Sequence, residues 1–215
     1  MKTLLISETF SSIQGETTFA GRPCFFIRLA GCNLRCRYCD TKYAWSNGNP
    51  RAMAALISEY EKSRLPMVEV TGGEPLLQSG TIDLLKILVK KAERVLLETN
   101  GSLSTAKVPE KVFTILDVKC PGSGFAKINC PENLGRLRSY DEVKFVICGK
   151  KDYEWAKKIM KKYRLAERCQ AVNFSAARGY LASPTLASWI LKDQLPARLN
   201  LQIHKQLWPD SERGK

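Results

Sequence analysis

The sequence predicts an α/β fold, with one domain built around a largely parallel sheet. Two observations support this prediction: short runs rich in β-branched and aromatic residues recur along the 215-residue chain, and helical patterns separate several of them. No linker, low-complexity tract or internal repeat divides the chain, so we predict a single core domain over residues 1–209 and a disordered tail over residues 210–215. The pattern alone leaves open whether the sheet is flat or curls into an incomplete barrel.

Seven runs are the predicted strands, because each is short and rich in β-branched or aromatic residues. They are residues 24–30, 67–71, 94–99, 112–119, 142–148, 170–175 and 198–204. Helices are predicted where apolar residues recur at helical spacing between several of these strands. They begin near Asn49-Pro50, Thr81, Asp152 and Ser183-Pro184, and a capping residue followed by proline is typical of a helix start.

Polar side chains stand at the carboxyl ends of these strands, which form the edge of a parallel sheet where binding sites lie. In the last predicted strand, Asn200, Gln202 and His204 share one face. A polar face inside a curled sheet is costly unless it binds something, so this strand is a candidate site wall. Further candidates at the strand ends are Arg28, Thr71, Glu98, Asn100, Asp117, Lys119, Lys144, Asn173 and Ser175.

The chain carries a formal net charge of +13, which favours contact with nucleic acid or small anions. Much of this charge lies in residues 150–164, where lysines and apolar residues alternate at helical spacing. The aromatic residues of this segment fall on its apolar side, whereas a nucleic-acid-binding surface interleaves cations with exposed aromatics. We therefore predict a solvated basic helix face and no direct contact with nucleic acid.

The sequence shows no signal-peptide core and no run that approaches the ~18 apolar residues of a membrane span. We therefore expect a cytoplasmic protein with no membrane partner. Three of its eight cysteines are clustered, which favours a metal or cluster site in a reducing compartment over disulfides. The scattered cysteines, Cys24, Cys120, Cys130, Cys148 and Cys169, are interpreted as inert buried thiols.

The clustered cysteines, Cys32, Cys36 and Cys39, have the spacing C-x-x-x-C-x-x-C. An electron-transfer cluster takes four cysteines, and a closed zinc site takes four ligands. Three thiolates can instead hold three irons of a 4Fe–4S cluster and leave the fourth iron open to a chelating small molecule. A zinc site would need Cys24 or His204 as its fourth ligand, or an open catalytic position, and this alternative remains open.

The segment AGCNLRCRYCDTKYAW at residues 30–45 closely resembles the cysteine loop of the radical S-adenosylmethionine (SAM) enzymes. The turn TGGEP at residues 71–75, read alone, is an ordinary turn before a helix, but after the cysteine loop it resembles the GGE motif that holds the methionine ammonium in that superfamily. The stretch FSSIQGETTFAGRPCFFIRLAGC at residues 10–32 resembles the 7-carboxy-7-deazaguanine synthase family. The same similarity continues at VTGGEPLLQ, ETNGS, LDVKCPGSG, DEVKFVI and LQIHKQLW, and so covers nearly the whole chain.

This resemblance implies an incomplete TIM-like β/α barrel of the radical SAM type. It implies a carbon–nitrogen lyase that contracts the ring of 6-carboxy-5,6,7,8-tetrahydropterin to give 7-carboxy-7-deazaguanine and ammonia, on the route to queuosine and other deazapurines. The implied cofactors are a 4Fe–4S cluster, S-adenosyl-L-methionine as the source of a 5′-deoxyadenosyl radical, and Mg²⁺. The expected partners are the small-molecule pterin and an electron donor such as flavodoxin or ferredoxin. The sequence does not determine the oligomeric state, for which a homodimer is one option.

Carried over residue by residue, the resemblance makes Cys32, Cys36 and Cys39 the cluster ligands and Thr41 the magnesium ligand. The implied SAM-binding residues are Tyr38, Cys39, Asp40, Gly73, Asp117, Val118, Lys119, Asn173 and Ser175. The implied pterin-binding residues are Ile13, Gln14, Gly15, Arg28 and Thr71, and His204 joins them from the polar face of the last predicted strand. Gln14, Glu16 and Arg28 are the candidate catalytic residues.

The side-chain chemistry agrees with these assignments. Arg28 is a forked partner for the substrate carboxylate, with an internal salt bridge as the alternative. Gln14 can match the amide-like edge of a pterin, and Glu16 its guanidine-like edge. Thr41 has a structural alternative, in which its hydroxyl caps a turn. Some relatives end near a proline whose terminal carboxylate reaches the substrate, whereas this chain continues past Pro209.

Two other functions also fit part of the sequence. One is a glycyl-radical activase, which shares the chain size and the three cysteines, although Asp40-Thr41 and the IQGE run at residues 13–16 argue against it. The other is a zinc-dependent nucleic-acid-binding module, with Cys24 as the fourth ligand and the basic helix as the contact face. A protein purified without oxygen is brown if it holds an iron–sulfur cluster and colourless if it holds zinc.

Overall fold

The computed structural model describes residues 2–46, 48–211 and 213–214, which form a nine-stranded sheet with helices on its outer face. The strands are β1 (Thr3–Ile13), β2 (Pro23–Leu29), β3 (Asn49–Ala52), β4 (Met67–Gly72), β5 (Arg94–Thr99), β6 (Val112–Val118), β7 (Glu142–Ile147), β8 (Ala171–Ala176) and β9 (Arg198–Leu199). Their order across the sheet is β3-β1-β2-β4-β5-β6-β7-β8-β9. Strand β2 and strands β4 to β9 run parallel, while β1 and β3 extend one edge in antiparallel pairing. No pairing of β3 with β9 closes the sheet in the described ranges, as expected of an incomplete barrel.

The helices are α1 (Met53–Ser63), α2 (Thr81–Leu88), α3 (Pro131–Arg136), α4 (Lys150–Lys162), α5 (Leu165–Arg168), α6 (Ser183–Lys192) and α7 (His204–Leu207). Helices α1 and α2 bury their apolar faces against one half of the sheet, and α4 and α6 cover the other half. This burial supplies the main stabilisation of the outer layer. In the described part of the chain, every helix is too short or too polar to cross a membrane.

The inner face of the sheet has two layers. Near the amino ends of the strands, an apolar plug fills the barrel; its buried residues are Phe19, Cys24, Phe26, Met67, Leu96 and Ile115. Because side chains alternate along a strand, the residues two positions further on point the same way. On β2 that residue is Arg28, on β4 it is Glu69, on β5 it is Glu98 and on β6 it is Asp117. The plug therefore forms the floor of a polar chamber at the carboxyl ends.

The helices predicted near Thr81, Asp152 and Ser183 are confirmed, since α2, α4 and α6 begin at Thr81, Lys150 and Ser183. The helix start predicted at Asn49-Pro50 is wrong. Residues 49–52 instead pair with β1 as an edge strand, with Leu5 opposite Pro50, and α1 begins only at Met53. Proline is tolerated there because an edge strand has one row of backbone groups without a partner strand.

The last predicted strand, at residues 198–204, is also wrong over most of its length. Only Arg198–Leu199 pairs with β8, and His204 begins the short helix α7. The alternation of polar and apolar residues over 200–204 therefore does not correspond to a β-strand. Gln202 still lines the chamber and Asn200 is buried next to it, because both side chains bond to Glu16.

Candidate active site

The polar chamber is a cavity of about 930 Å³ at the carboxyl ends of the strands. Almost all the residues predicted for the site line it. The predicted residues among its walls are Gln14, Gly15, Glu16, Arg28, Cys32, Cys36, Tyr38, Cys39, Asp40, Thr41, Thr71, Gly73, Asp117, Lys119, Ser175 and His204. A cavity of this size falls within the usual range for small-molecule sites.

Three predicted site residues are not brought to this cavity. Val118 is buried in the outer core between the sheet and the helices, because it faces the opposite side of β6 from Asp117. Asn173 is fully buried and donates a hydrogen bond to Glu142 Oε2 at 2.5 Å. Ile13 ends β1 opposite Pro23 and lies outside the cavity wall.

The cysteine loop is closed at its base by backbone hydrogen bonds between its two ends. Gly31 N–H donates to Ala44 O at 2.9 Å, and Cys32 N–H donates to Trp45 O at 3.1 Å. Arg35 stabilises the loop further, since its guanidinium donates to Cys32 O at 2.7 Å and lies over the Trp45 ring. These contacts fix the shape of the loop that carries the three cysteines.

The thiols of this loop fit a multi-iron cluster better than a single metal ion. Cys32 Sγ accepts a hydrogen bond from Leu34 N–H at 3.4 Å, and Asn100 Nδ2 lies 3.8 Å from the same sulfur. Such donors to sulfur are typical of iron–sulfur sites. Among the described residues, no group of three or more Cys, His, Asp or Glu side chains is placed to hold a single metal ion. In a cluster, by contrast, each thiolate holds a different iron.

The zinc alternative with Cys24 fails on position. Cys24 is fully buried in the apolar plug, at the amino end of β2, while Cys32 follows the carboxyl end of the same strand. Five residues of strand separate Cys24 from Leu29, which is roughly 16 Å. Burial also raises the pKa of the Cys24 thiol, so this group stays a neutral apolar side chain.

The GGE turn is packed directly on the cysteine loop. Gly73 N–H donates to Leu29 O at 3.0 Å, and Glu74 N–H donates to Gly31 O at 2.8 Å. A Cβ atom on Gly73 would overlap the Gly31 carbonyl, so only glycine allows this approach. The Glu74 carboxylate is fully buried, and it accepts hydrogen bonds from Leu76 N–H, Thr99 Oγ1 and Asn100 N–H at 2.7–2.9 Å. Glu74 thus ties the turn to the end of β5 and does not line the cavity, whereas Gly73 does.

Beside the thiols, two buried polar atoms have no hydrogen-bond partner among the described residues: Tyr38 O–H and Asp117 Oδ1. Asp117 Oδ2 lies 2.9 Å from the Lys119 ammonium, which also approaches the Tyr38 ring at 6.0 Å. Burial raises the pKa of the Tyr38 hydroxyl, so it remains a donor. Unpaired buried polar groups are rare in folded proteins, and here they indicate a polar ligand at this wall. The residues present therefore fit a cluster and SAM side by side.

Another part of the cavity lining carries Glu16, whose carboxylate has three partners. Lys144 Nζ lies 2.9 Å from Oε2, Gln202 Nε2 donates to Oε1 at 2.6 Å, and Asn200 Nδ2 donates to Oε2 at 3.3 Å. Burial alone would raise the pKa of Glu16, but Lys144 and the hydrogen bonds hold it below its ordinary value. Glu16 is therefore a fixed carboxylate at neutral pH.

Lys144 is the central cation of the chamber. Its ammonium bonds to Glu16 and Glu98 and lies 3.7 Å from Asp117 Oδ2. Burial would lower the pKa of Lys144, but these carboxylates raise it well above its ordinary value. The Thr71 hydroxyl also donates to Glu98 at 3.3 Å, so β4, β5, β6 and β7 are connected through one network.

Arg28 makes the internal salt bridge that was the structural alternative for this residue. Its Nε donates to Glu8 Oε1 at 2.8 Å, because Glu8 on β1 lies directly opposite Arg28 on β2. Tyr43 O–H donates to the same Glu8 oxygen at 2.7 Å, which links the pair to the cysteine loop. Within the described ranges, no hydrogen bond engages the two terminal guanidinium nitrogens, and Arg28 lines the cavity.

His204 lies against Gly15 across the mouth of the cavity. Ile203 N–H donates to Gly15 O at 3.0 Å, and a Cβ on residue 15 would overlap the His204 ring. Glycine at position 15 is thus required by this close approach. Burial lowers the pKa of His204 despite the nearby Glu16 carboxylate, so the ring is neutral at pH 7.

Thr41 follows the last cysteine of the loop and lines the cavity. Its hydroxyl donates to Asp40 Oδ1 at 2.9 Å, and it makes no side-chain cap on the turn that follows. The turn-capping alternative for Thr41 is therefore wrong. Burial would raise the pKa of Asp40, but Lys205, 2.6 Å away, holds it well below its ordinary range.

Four residues of the tail predicted to be disordered are described by the structure, and all four line the cavity mouth. They are Asp210, Ser211, Arg213 and Gly214. The Arg213 guanidinium lies 4.3 Å from the centre of the Tyr43 ring, and Gly214 N–H donates to Glu8 Oε2 at 3.2 Å. These contacts place the described tail residues beside the Arg28–Glu8 pair. Glu212 and Lys215 lie outside the described residues.

Several residues of the site were not predicted from the sequence, and the reason can be given for each of them. Glu8 lies on β1, which was not predicted because its apolar alternation stops after Ile6. Glu69 stood inside a predicted strand, but a single carboxyl in an apolar run was not weighed as a site residue. Tyr43 donates a hydrogen bond to Glu8, and Lys205 donates one to Asp40. No spacing pattern in the sequence predicts either contact.

Comparison with known proteins agrees with this geometry. The family model of the radical SAM superfamily matches residues 26–169. The chain is 44% identical to the 7-carboxy-7-deazaguanine synthase of Chlorobaculum tepidum, with 98% of this chain and 97% of that protein covered. It is 40% identical to the enzyme of the same name from Koribacter versatilis, with 97% and 99% covered. The crystal structure of QueE from Escherichia coli matches with a TM-score of 0.77 at 20% identity over 93% of this chain and 94% of that one, which shows a shared fold.

Proposed function

Because the chain belongs to the radical SAM superfamily and, within it, to the 7-carboxy-7-deazaguanine synthases, we propose that its cavity converts 6-carboxy-5,6,7,8-tetrahydropterin into 7-carboxy-7-deazaguanine with loss of ammonia. One observation carries this proposal. The three-cysteine loop and the fixed Glu16 carboxylate line the same cavity. A radical source and a polar site for a pterin therefore share one cavity.

The cluster wall is assigned first. Cys32, Cys36 and Cys39 would hold the 4Fe–4S cluster, and Tyr38, Asp117 and Lys119 would contact SAM, which fits the two partnerless polar atoms at this wall. When bound, the cluster and SAM supply the reducing and hydrogen-abstracting chemistry of the superfamily. The further predicted SAM contacts Asp40, Gly73 and Ser175 line the same cavity. Val118 and Asn173 do not line it, so they would support the SAM site indirectly, through the residues packed next to them.

The pterin wall is assigned from charge and hydrogen-bonding capacity. The guanidine-like edge of the pterin carries N–H donors, and the Glu16 carboxylate accepts such donors while Lys144 and Gln202 keep it in place. Arg28 would receive the substrate carboxylate on its terminal nitrogens, since Glu8 binds only Nε. Both roles position the substrate and neutralise its charge. The remaining predicted contacts are Ile13, Gln14, Gly15, Thr71 and His204.

The magnesium ion is assigned to Thr41. A threonine hydroxyl is a weak neutral ligand, and magnesium accepts such ligands when a substrate anion and waters complete its shell. The Thr41 hydroxyl lines the cavity and donates to Asp40 Oδ1, so it lies next to a carboxylate oxygen. Thr41 would then exchange this hydrogen bond for the ion when substrate binds.

The test of the function is anaerobic turnover. The protein is reconstituted with iron and sulfide and incubated with dithionite, SAM, Mg²⁺ and the carboxy-tetrahydropterin, and the products are identified by mass. Formation of 7-carboxy-7-deazaguanine with release of ammonia supports the proposal. Cleavage of SAM without any change in the pterin would contradict it and leave only membership of the superfamily.

An external electron donor would approach at the outer rim of the cysteine loop. Arg35, Arg37, Lys42 and Lys127 are exposed there, and none has a carboxylate of the described residues within salt-bridge distance. Arg37 N–H donates to Ser123 O at 3.4 Å, which brings the loop next to the segment that carries Lys127. A patch of unpaired cations favours an acidic carrier such as flavodoxin or ferredoxin, since complementary charge raises the rate of encounter.

Charge reversal separates this docking surface from catalysis. Lys127→Glu, at a position outside the cavity wall, should raise the KM for reduced flavodoxin and leave dithionite-driven turnover unchanged, and the effect should shrink at high salt. Lys158→Glu, on the exposed face of α4, makes the same charge change away from the loop and is the matched control. Equal effects of both substitutions would reduce the proposal to general electrostatic attraction. We further place the enzyme in the cytoplasm and expect a homodimer, which sedimentation equilibrium would test.

A further inference from the structure

Glu69 is a carboxyl group on the floor of the cavity to which none of the roles above is assigned. It lies in the middle of β4, between Phe26 of β2 and Leu96 of β5 in the strand register, and both neighbours belong to the apolar plug. Only 2% of the residue is exposed. An acid in such a place is costly to keep unless it does something there.

The carboxyl group of Glu69 is one end of a hydrogen-bond relay. Glu69 Oε2 accepts a hydrogen bond from Gln14 Nε2, and Gln14 Oε1 accepts a hydrogen bond from Glu16 N–H at 2.9 Å. The backbone N–H of Glu16 can only donate, so the carbonyl end of the Gln14 amide must face Glu16. The NH₂ end then faces the floor, where it needs an acceptor. Glu69 supplies that acceptor and so fixes which way the amide lies.

The relay ends at Glu16, the residue proposed to bind the guanidine-like edge of the pterin. Fixing Glu16 N–H sets the backbone from which the Glu16 carboxylate reaches Lys144 and Gln202. The same short segment contains Gly15, whose carbonyl accepts from Ile203 N–H across the cavity mouth. Both side-chain ends of Gln14 are engaged, which leaves its amide little capacity to bind substrate directly. The amide therefore transmits position to the Glu16 segment, and only its second N–H and its second lone pair are left for a contact with the pterin.

We propose that Glu69 is a positioning residue for the pterin, which acts through the Gln14 amide to hold the Glu16 segment in its substrate-binding geometry. Burial and the nearby Glu98 carboxylate raise the pKa of Glu69 well above its ordinary value, while Lys144 and Arg28 oppose this only in part. The raised pKa favours the protonated, neutral form of Glu69. A neutral acceptor can fix Gln14 without adding a further negative charge beneath an anionic substrate.

The inference rests on the proposed function and is tested with a matched pair of variants. Glu69→Gln and Glu69→Met have similar length and no charge, but only glutamine keeps an acceptor oxygen. Glu69→Met should weaken binding of the carboxy-tetrahydropterin to the cluster-free protein, measured by titration calorimetry, by about tenfold or more, the effect of one lost buried hydrogen bond. Glu69→Gln should bind within about twofold of the wild type. In the reconstituted enzyme, the KM for pterin should rise in Glu69→Met while substrate-independent formation of 5′-deoxyadenosine stays unchanged.

A second variant keeps the test decisive if Glu69→Met fails to fold. Gln14→Met breaks the relay from its other end and should weaken pterin binding by a similar factor. The double variant should lose no more than either single variant, because both remove the same connection. Tight pterin binding by Glu69→Met or Gln14→Met, or additive losses in the double variant, would overturn the inference. Failure of the wild type itself to bind the pterin would overturn the proposed function instead.

Discussion

Lys144 Nζ lies 2.9 Å from Glu16 Oε2, and this contact joins the last part of the parallel sheet to the turn that follows β1. The two residues are 128 positions apart in sequence, so their pairing depends on the curvature of the sheet. The same ammonium also bonds to Glu98. One buried cation therefore balances carboxylates from separate elements, and the Glu16 carboxylate owes its ionised state largely to it.

Lys144→Met should destabilise the protein by about 3–5 kcal/mol, because Glu16 and Glu98 would lose a buried partner. Denaturant unfolding at pH 7 measures the change. Lys158→Met removes an exposed lysine of α4 and should change stability by less than about 0.5 kcal/mol. Equal stability of the two variants would mean that the Lys144 network is not a net stabiliser of the fold.

Glu69→Gln should flatten the pH dependence of stability above pH 5. The pKa of Glu69 is raised by burial and by Glu98, against the partial opposition of Lys144 and Arg28. Between the unfolded and the raised folded pKa, the native state therefore binds a proton that the unfolded chain has lost. Stability of the wild type then falls as pH rises, by up to about 1.4 kcal/mol per pH unit. Glutamine does not titrate, so the stability of the variant relative to the wild type should rise as the pH increases above about 5. Parallel stability profiles for the two proteins would contradict a buried neutral Glu69.

Each of Cys32→Ala, Cys36→Ala and Cys39→Ala should abolish the iron–sulfur absorbance of anaerobically reconstituted protein and the formation of 5′-deoxyadenosine, because each thiol would hold a different iron. Cys24→Ala removes a buried thiol from the apolar plug at the far end of β2 and should keep both. Iron content per chain is the measurement. Loss of the chromophore in Cys24→Ala, with folding intact by circular dichroism, would contradict the three-thiol site.

Arg28→Ala should cost about 2–5 kcal/mol in kcat/KM for the pterin, since the substrate carboxylate would be buried without its partner. Arg28→Lys should not restore activity, because an ammonium lacks the forked geometry. Arg51→Ala is the matched control: Arg51 is also a strand arginine paired with a glutamate, Glu59 at 2.8 Å, but it lies outside the cavity. If Arg28→Ala lowered stability as Arg51→Ala does and left kcat/KM unchanged, the salt bridge with Glu8 would be its whole role.

The sequence could predict those parts of the structure that depend on local sequence patterns. The strands at β4 to β8, the starts of α2 and α6 and the cysteine loop all follow from periodicity, capping residues or spacing. The parts that it could not predict depend on long-range pairing. Glu8 meets Arg28 only because β1 adds to the edge of the sheet, and Glu69 meets Gln14 only because the barrel curls. The segment after β9 shows the converse, since a strand-like alternation there is overridden by bonds to Glu16.

Thr41 follows the last cysteine of the loop by two residues, and the loop fixes its position. Its hydroxyl donates to Asp40 and caps no turn, so this hydrogen bond can be exchanged for an ion. Thr41→Ser keeps the hydroxyl and should keep magnesium stimulation of turnover. Thr41→Ala should lose most of the stimulation and still assemble the cluster, because none of the three thiols is changed. Magnesium binding, measured by calorimetry, should be weak without substrate, since one neutral hydroxyl and waters make a poor site until the substrate carboxylate completes the shell. Full magnesium-dependent turnover in Thr41→Ala would remove this residue from the metal site and leave its hydrogen bond to Asp40 as its role.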